Sequence, residues 1–121
     1  MAETFKAVNV ALGSSADAVV YTCPGSTTAI VIHCQVANVD GTNAADVTVS
    51  VTKANFTPDG VSNFDTSGTF HLAKTVSVPA DATLVVLDTP IYMMESDVLK
   101  GGANASGDLE LFVSYESIDD A

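Results

Sequence analysis

Val47, Val49 and Val51 alternate with Thr48, Ser50 and Thr52, and this period of two constrains the chain more than any other feature. Successive side chains of an extended strand point to opposite faces, so such a run makes one dry surface and one wet one. The same alternation sets Leu109, Leu111, Val113 and Tyr115 against Asp108, Glu110, Phe112, Ser114 and Glu116, and a weaker version runs through Val8, Val10 and Leu12. No window of helical length places apolar residues at the i, i+3, i+4, i+7 spacing of an amphipathic helix. An all-β chain is expected.

Turn residues cut the sequence at short intervals: Gly13-Ser-Ser, Pro24-Gly25-Ser, Asp40-Gly41-Thr-Asn, Pro58-Asp-Gly60, Pro79-Ala-Asp, and Gly101-Gly102 through Ser106-Gly107. Further strands are expected at Phe70 to Ala73, Leu84 to Leu87, Pro90 to Met94 and Asp97 to Lys100. The stretch Thr27 to Val39 is apolar on both parities, with Ile30, Ile32, Cys34 and Val36 on one face and Val31, His33, Gln35 and Ala37 on the other. That pattern predicts a central strand whose second face is partly covered. The expectation is one domain over residues 1–121, an antiparallel β-sandwich of roughly seven to eight short strands. Jelly-roll wiring is one arrangement it allows. Residues 54–68 read as a long loop, and residues 1–6 as either a strand or an N-terminal arm.

Charge narrows the partners. Fifteen acidic residues stand against four lysines, with no arginine, for a net charge of −11. Nucleic-acid affinity comes mainly from cations that neutralise phosphates, so DNA and RNA are poor partners, and anionic membranes are disfavoured too. The chain is nonetheless 47% hydrophobic, which is unlike an acidic disordered tail. The longest apolar runs, Ala29 to Ile32 and Leu84 to Leu87, are far too short to span a bilayer. No secretory signal stands at the start, so a soluble protein made in a cytoplasm is expected, with Cys23 and Cys34 reduced and buried. A disulfide between them stays geometrically open if their strands pair.

Catalytic motifs are missing from the sequence. His33 and Cys34 are adjacent, so in a strand they point apart and cannot share a metal. Glu95 and Asp97 share strand parity, but a position at a turn edge predicts that both are solvated and lack the raised pKa of a general acid. The acidic turns Asp40-Gly-Thr-Asn43 and Asp59-Gly60 lack the spaced oxygen ligands of an EF-hand. Neither a cofactor nor an enzymatic activity is expected. The candidates for partner contact are Phe56, Phe64, Tyr92, Met93 and Met94, because aromatic anchors and adaptable methionines are enriched at interfaces. An equal alternative is that these side chains plug the ends of the sandwich.

Several stretches resemble small β-sandwich virion proteins of tailed bacteriophages. They are Val20-Tyr-Thr-Cys-Pro-Gly-Ser-Thr-Thr-Ala-Ile-Val, Val36-Ala-Asn-Val-Asp-Gly, Val78-Pro-Ala-Asp-Ala-Thr-Leu, Pro90-Ile, Glu95-Ser-Asp-Val-Leu-Lys-Gly and Gly107-Asp-Leu-Glu-Leu-Phe-Val-Ser-Tyr. The resemblance implies a non-enzymatic particle component, foremost a capsid decoration (cement) protein on the outer surface of the head shell. Head–tail or tail components and a tail-fibre-type glycan-binding module are the alternatives. It further implies a virion location after assembly in the host cytoplasm. The implied partners are the major capsid protein or other virion proteins, together with self-association as a trimer or hexamer.

Overall fold

Among the described residues the alternating runs become nine strands: β1 Glu3–Ala11, β2 Val19–Thr22, β3 Thr27–Asn38, β4 Ala45–Lys53, β5 Gly68–Val78, β6 Thr83–Val85, β7 Ile91–Met93, β8 Val98–Ala103 and β9 Leu109–Asp119. The computed structural model describes residues 3–15, 18–54 and 68–119, and no helix occurs among them. The chain is an all-β antiparallel sandwich. One sheet has the order β1-β9-β3, with β6 and β7 both pairing beyond β3; the other has the order β2-β8-β4-β5. Successive strands cross between the sheets everywhere except β4 to β5 and β6 to β7. This is jelly-roll wiring in which the strand beyond β3 is split in two. Glu3 to Lys6, where an arm was the alternative, run within β1.

One extra residue in β3 sets its parity. Val31 pairs with Tyr115 and His33 with Ser114, which leaves Ile32 as a bulge. Upstream of it Ala29 and Val31 point inward; downstream Cys34, Val36 and Asn38 do. The expectation that Ile30, Ile32, Cys34 and Val36 share a face is therefore corrected: Ile32 is 43% exposed while Val31 is 1%. A stretch that is apolar on both parities here reflects a mid-strand switch of faces. The break between β6 and β7 falls opposite the same point. Val86 N–H still donates to Cys34 O at 2.8 Å, and pairing resumes at Ile91 beside Val31. Pro90, with no N–H to give to a ladder, occupies the gap.

The core lies between the sheets. Leu109, Leu111 and Val113 of β9 and Val31 and Val36 of β3 face Val47 and Val49 of β4 and Leu99 of β8, all fully buried. Each such side chain contributes about 1.5–3 kcal/mol relative to exposure. Tyr21 and Tyr115 bridge the two sheets with ring centroids 4.5 Å apart. Gly101 and Gly102, expected in a turn, lie inside β8; a Cβ at Gly101 would sit 3.4 Å from Leu12 Cδ2, so β8 passes close beneath Leu12. The turn follows them, with Gly107 at φ 86°. Asn38, buried at the end of β3, ties that end to β5: its amide donates to Val78 O at 2.9 Å and Asn43 O at 3.0 Å, and its oxygen accepts Asp40 N–H at 2.9 Å.

Candidate interaction surface

The two outer faces of the sandwich differ in chemistry. Register places Phe5, Ala7, Asn9 and Ala11 of β1 beside Glu116, Ser114, Phe112 and Glu110 of β9 on the outside of the first sheet. Across β9, Gln35 pairs with Phe112 and Ala37 with Glu110; beyond β3, Val85 pairs with Gln35 and Tyr92 with Ile30. Phe5 (75% exposed), Tyr92 (64%) and Val85 (55%) join Ile32 and Phe112 on this one face. The second sheet instead carries Thr48 and Thr52 of β4 beside Lys100 and a half-buried Val98 of β8 on its central strands, with Ser50 and Gly102 buried among them, and its exposed Val19, Phe70 and Val76 lie on edge strands. Thr52 and Thr69 share a hydroxyl contact of 2.9 Å there. The asymmetry is an apolar, aromatic face backed by a hydroxyl-rich one.

A shallow groove of about 340 Å³ crosses the first face, lined by Asn9, Ala11, Gln35, Ala37, Glu110 and Phe112. Alanines form its floor, so the flanking side chains stand proud of it. His33 Nε2 lies 3.0 Å from Gln35 Oε1, which turns the Gln35 amide nitrogen away from His33. At the far end of the face Glu3 and Glu116 are close enough to hydrogen-bond, and that bond, with some burial and mutual repulsion, raises the Glu116 pKa.

The five sequence-predicted contact residues fare differently. Tyr92 faces out on the apolar face. Met93 points the opposite way, fully buried and paired with Ala29, so it packs the core and offers a partner no surface. Met94 is half-buried in the turn that follows. Phe56 and Phe64 lie outside the described residues.

Sequence reasoning missed Asp97. Rather than sitting solvated at a turn edge, it is buried, because three elements converge on its carboxylate. Lys53 Nζ bonds Oδ2, Met94 N–H donates to Oδ2 at 2.8 Å, and Ala54 N–H donates to Oδ1 at 2.9 Å. Its backbone closes the Met94–Asp97 turn at 3.1 Å and accepts Cys23 N–H at 2.9 Å. Asp97 thus joins the end of β4, the passage from β7 to β8 and the β2–β3 turn. Glu95, its parity mate, is exposed beside Ser26. No motif marked it: the Ser96 backbone, at φ 71°, makes this a tight turn rather than a strand. Among the described residues no three His, Cys, Asp or Glu side chains converge to hold a metal. Cys23 and Cys34 are buried thiols, and burial pushes Cys34 up to about 12.

No family model matches the sequence, and no curated protein matches it. A solved structure described as "Bacillus endospore appendages form a novel family of disulfide-linked pili" is similar over 99% of this chain and 88% of its own, with 12% identity and a TM-score of 0.47. A likeness at that level carries no argument about assembly or activity.

Proposed function

We propose that the chain is a non-enzymatic structural component of a bacteriophage virion, a capsid decoration protein that lays the outer face of its first sheet on the head shell. The observation that carries this reading is the asymmetry of the two faces. Large apolar side chains clustered on one flat face mark an interaction surface, while singly scattered ones do not. Docked this way, the protein turns its hydroxyl-rich second sheet to solvent, and its net charge of −11 keeps decorated particles apart and off nucleic acid. The buried polar groups serve architecture: Asp97 holds turns together and Asn38 ties β3 to β5. Jelly rolls host capsid proteins, lectins and cupins alike, so the wiring itself does not choose among them.

The test is stoichiometry and location. Purified particles should carry the chain in many copies, seen by electron microscopy on the outer shell with the Phe112 face inward. Phe112→Ser with Tyr92→Ser should abolish particle binding while leaving the circular dichroism unchanged. A copy number of a few per particle would move the chain to the neck or tail; absence from particles would end the proposal.

One observation favours a glycan-binding reading as the second: Phe112 stands in a row with the carboxamides of Asn9 and Gln35, next to the Glu110 carboxylate. An aromatic face flanked by amide and carboxylate groups suits sugar hydroxyls. Binding on a glycan array that disappears with Phe112→Ala would select it.

A further inference from the structure

We infer that two copies of the chain pair edge to edge through β1, in antiparallel orientation about a two-fold axis at Ala7. The two sheets have four edges among the described residues. An exposed edge strand presents unpaired backbone groups, and folded proteins blunt such edges with short strands, bulges or proline. Three edges here are blunted. β2 has four residues and a register shift. β5 has two register shifts and holds Thr75 at φ 48°. The far edge of the first sheet is split into β6 and β7, three residues each. Only β1 is long and regular, with nine residues and nine uninterrupted pairs to β9.

The side chains favour a second copy as the occupant. The outward residues of β1 read Glu3, Phe5, Ala7, Asn9 and Ala11. Pairing about Ala7 sets Phe5 opposite the partner's Asn9 and diagonal to the partner's Ala7 and Ala11, neighbours within reach of an aromatic ring. Phe5, the most exposed large apolar side chain among the described residues, thereby reaches the rim of the groove that Asn9 and Ala11 line. Knob and socket lie on one strand, so a two-fold uses both twice, as an isologous interface requires. Charge does not oppose it. β1 carries one carboxylate and one amine, Glu3 and Lys6, and in this register they face the partner's Ala11 and Val8. The remaining negative charge is screened beyond about 8 Å at physiological salt. Because the axis stands perpendicular to the sheet, both apolar faces point the same way and merge into one surface, which would give docking two footholds.

Sedimentation of the purified chain over a concentration series tests this, independently of particle binding. Wild type should show a monomer–dimer equilibrium that tightens with salt. Ala7→Lys and Ala7→Glu, substitutions at an exposed site, place like charges opposite each other at the axis, and each should weaken the dimer about tenfold or more. Mixing the two variants should restore it. Phe5→Ser should weaken it as well, which covers the case that an Ala7 variant fails to fold. A wild type that stays monomeric at about 1 mM, a dimer indifferent to Ala7→Lys and Phe5→Ser, or a charge-swapped pair that fails to associate would overturn the inference.

Discussion

The Asp97 carboxylate is shut away from solvent, and the Lys53 amine that pairs with it keeps 23% of its side chain exposed. The two halves of this ion pair are therefore unequal. A lysine deprived of its partner swings into water; an aspartate deprived of its partner stays buried as an uncompensated charge.

Asp97→Ala is expected to destabilise by about 3–5 kcal/mol, since it leaves the Met94 and Ala54 amides without an acceptor as well as breaking the pair. Lys53→Met should cost several kcal/mol through the stranded carboxylate, and Lys53→Met with Asp97→Ala less than the sum of the two single changes. Urea denaturation of the four proteins measures the coupling directly.

Adjacent residues of β9 should respond in opposite ways. Leu111 is 1% exposed and Phe112 40%. Leu111→Ala is expected to cost about 2–5 kcal/mol by opening a cavity. Phe112→Ala should stay within about 1 kcal/mol, because its ring is already half in water. Thermal melts of the pair check the face assignment.

The bulge makes a sharper prediction. Deleting Ile32 removes the extra residue, so that either Ala29 and Val31 or Cys34 and Val36 must turn outward. The deletion should prevent folding, whereas Ile32→Thr, which keeps the residue count, should not. Heteronuclear NMR dispersion of the two proteins distinguishes them.

Alkaline stability follows from burial. Burial pushes Cys34 up to about 12, and burial also raises Tyr21, helped by the neighbouring Cys23 and Tyr115. Folded pKa values above the unfolded ones mean that this stability is intact below about pH 9. It drains away as pH climbs towards 12, because the unfolded chain gives up its protons first. Cys34 should also resist alkylation at pH 8 until denaturant is added.

Much of this was legible in the sequence. Alternation in 47–52 and 109–115 identified the core faces of β4 and β9, because each run keeps a single parity across its inward valines and leucines. Eight of the nine strand segments among the described residues were visible, and the missed one, Val19–Thr22, has no apolar/polar alternation to set it apart from the Pro24-Gly25 turn it adjoins. Thr27 to Val39 misled, since a bulge contributes one residue and no compositional mark. Met93 and Met94 read as a surface pair because pattern alone cannot tell which side of β7 meets the core. Asp97 was hidden for a different reason: its partners Lys53 and Ala54 lie more than forty residues away in sequence, and only the crossing of β7 to β8 brings them together.

Lys53 sits opposite Gly68 in the β4–β5 register, and Ala54 is anchored on Asp97. Lys53, Ala54 and Gly68 thus hold the two described ends of the stretch between β4 and β5 side by side. A foreign sequence spliced between Ala54 and Gly68 should therefore leave β4 and β5 paired, since doubling the length of a segment whose ends are held together costs only about 0.6 kcal/mol.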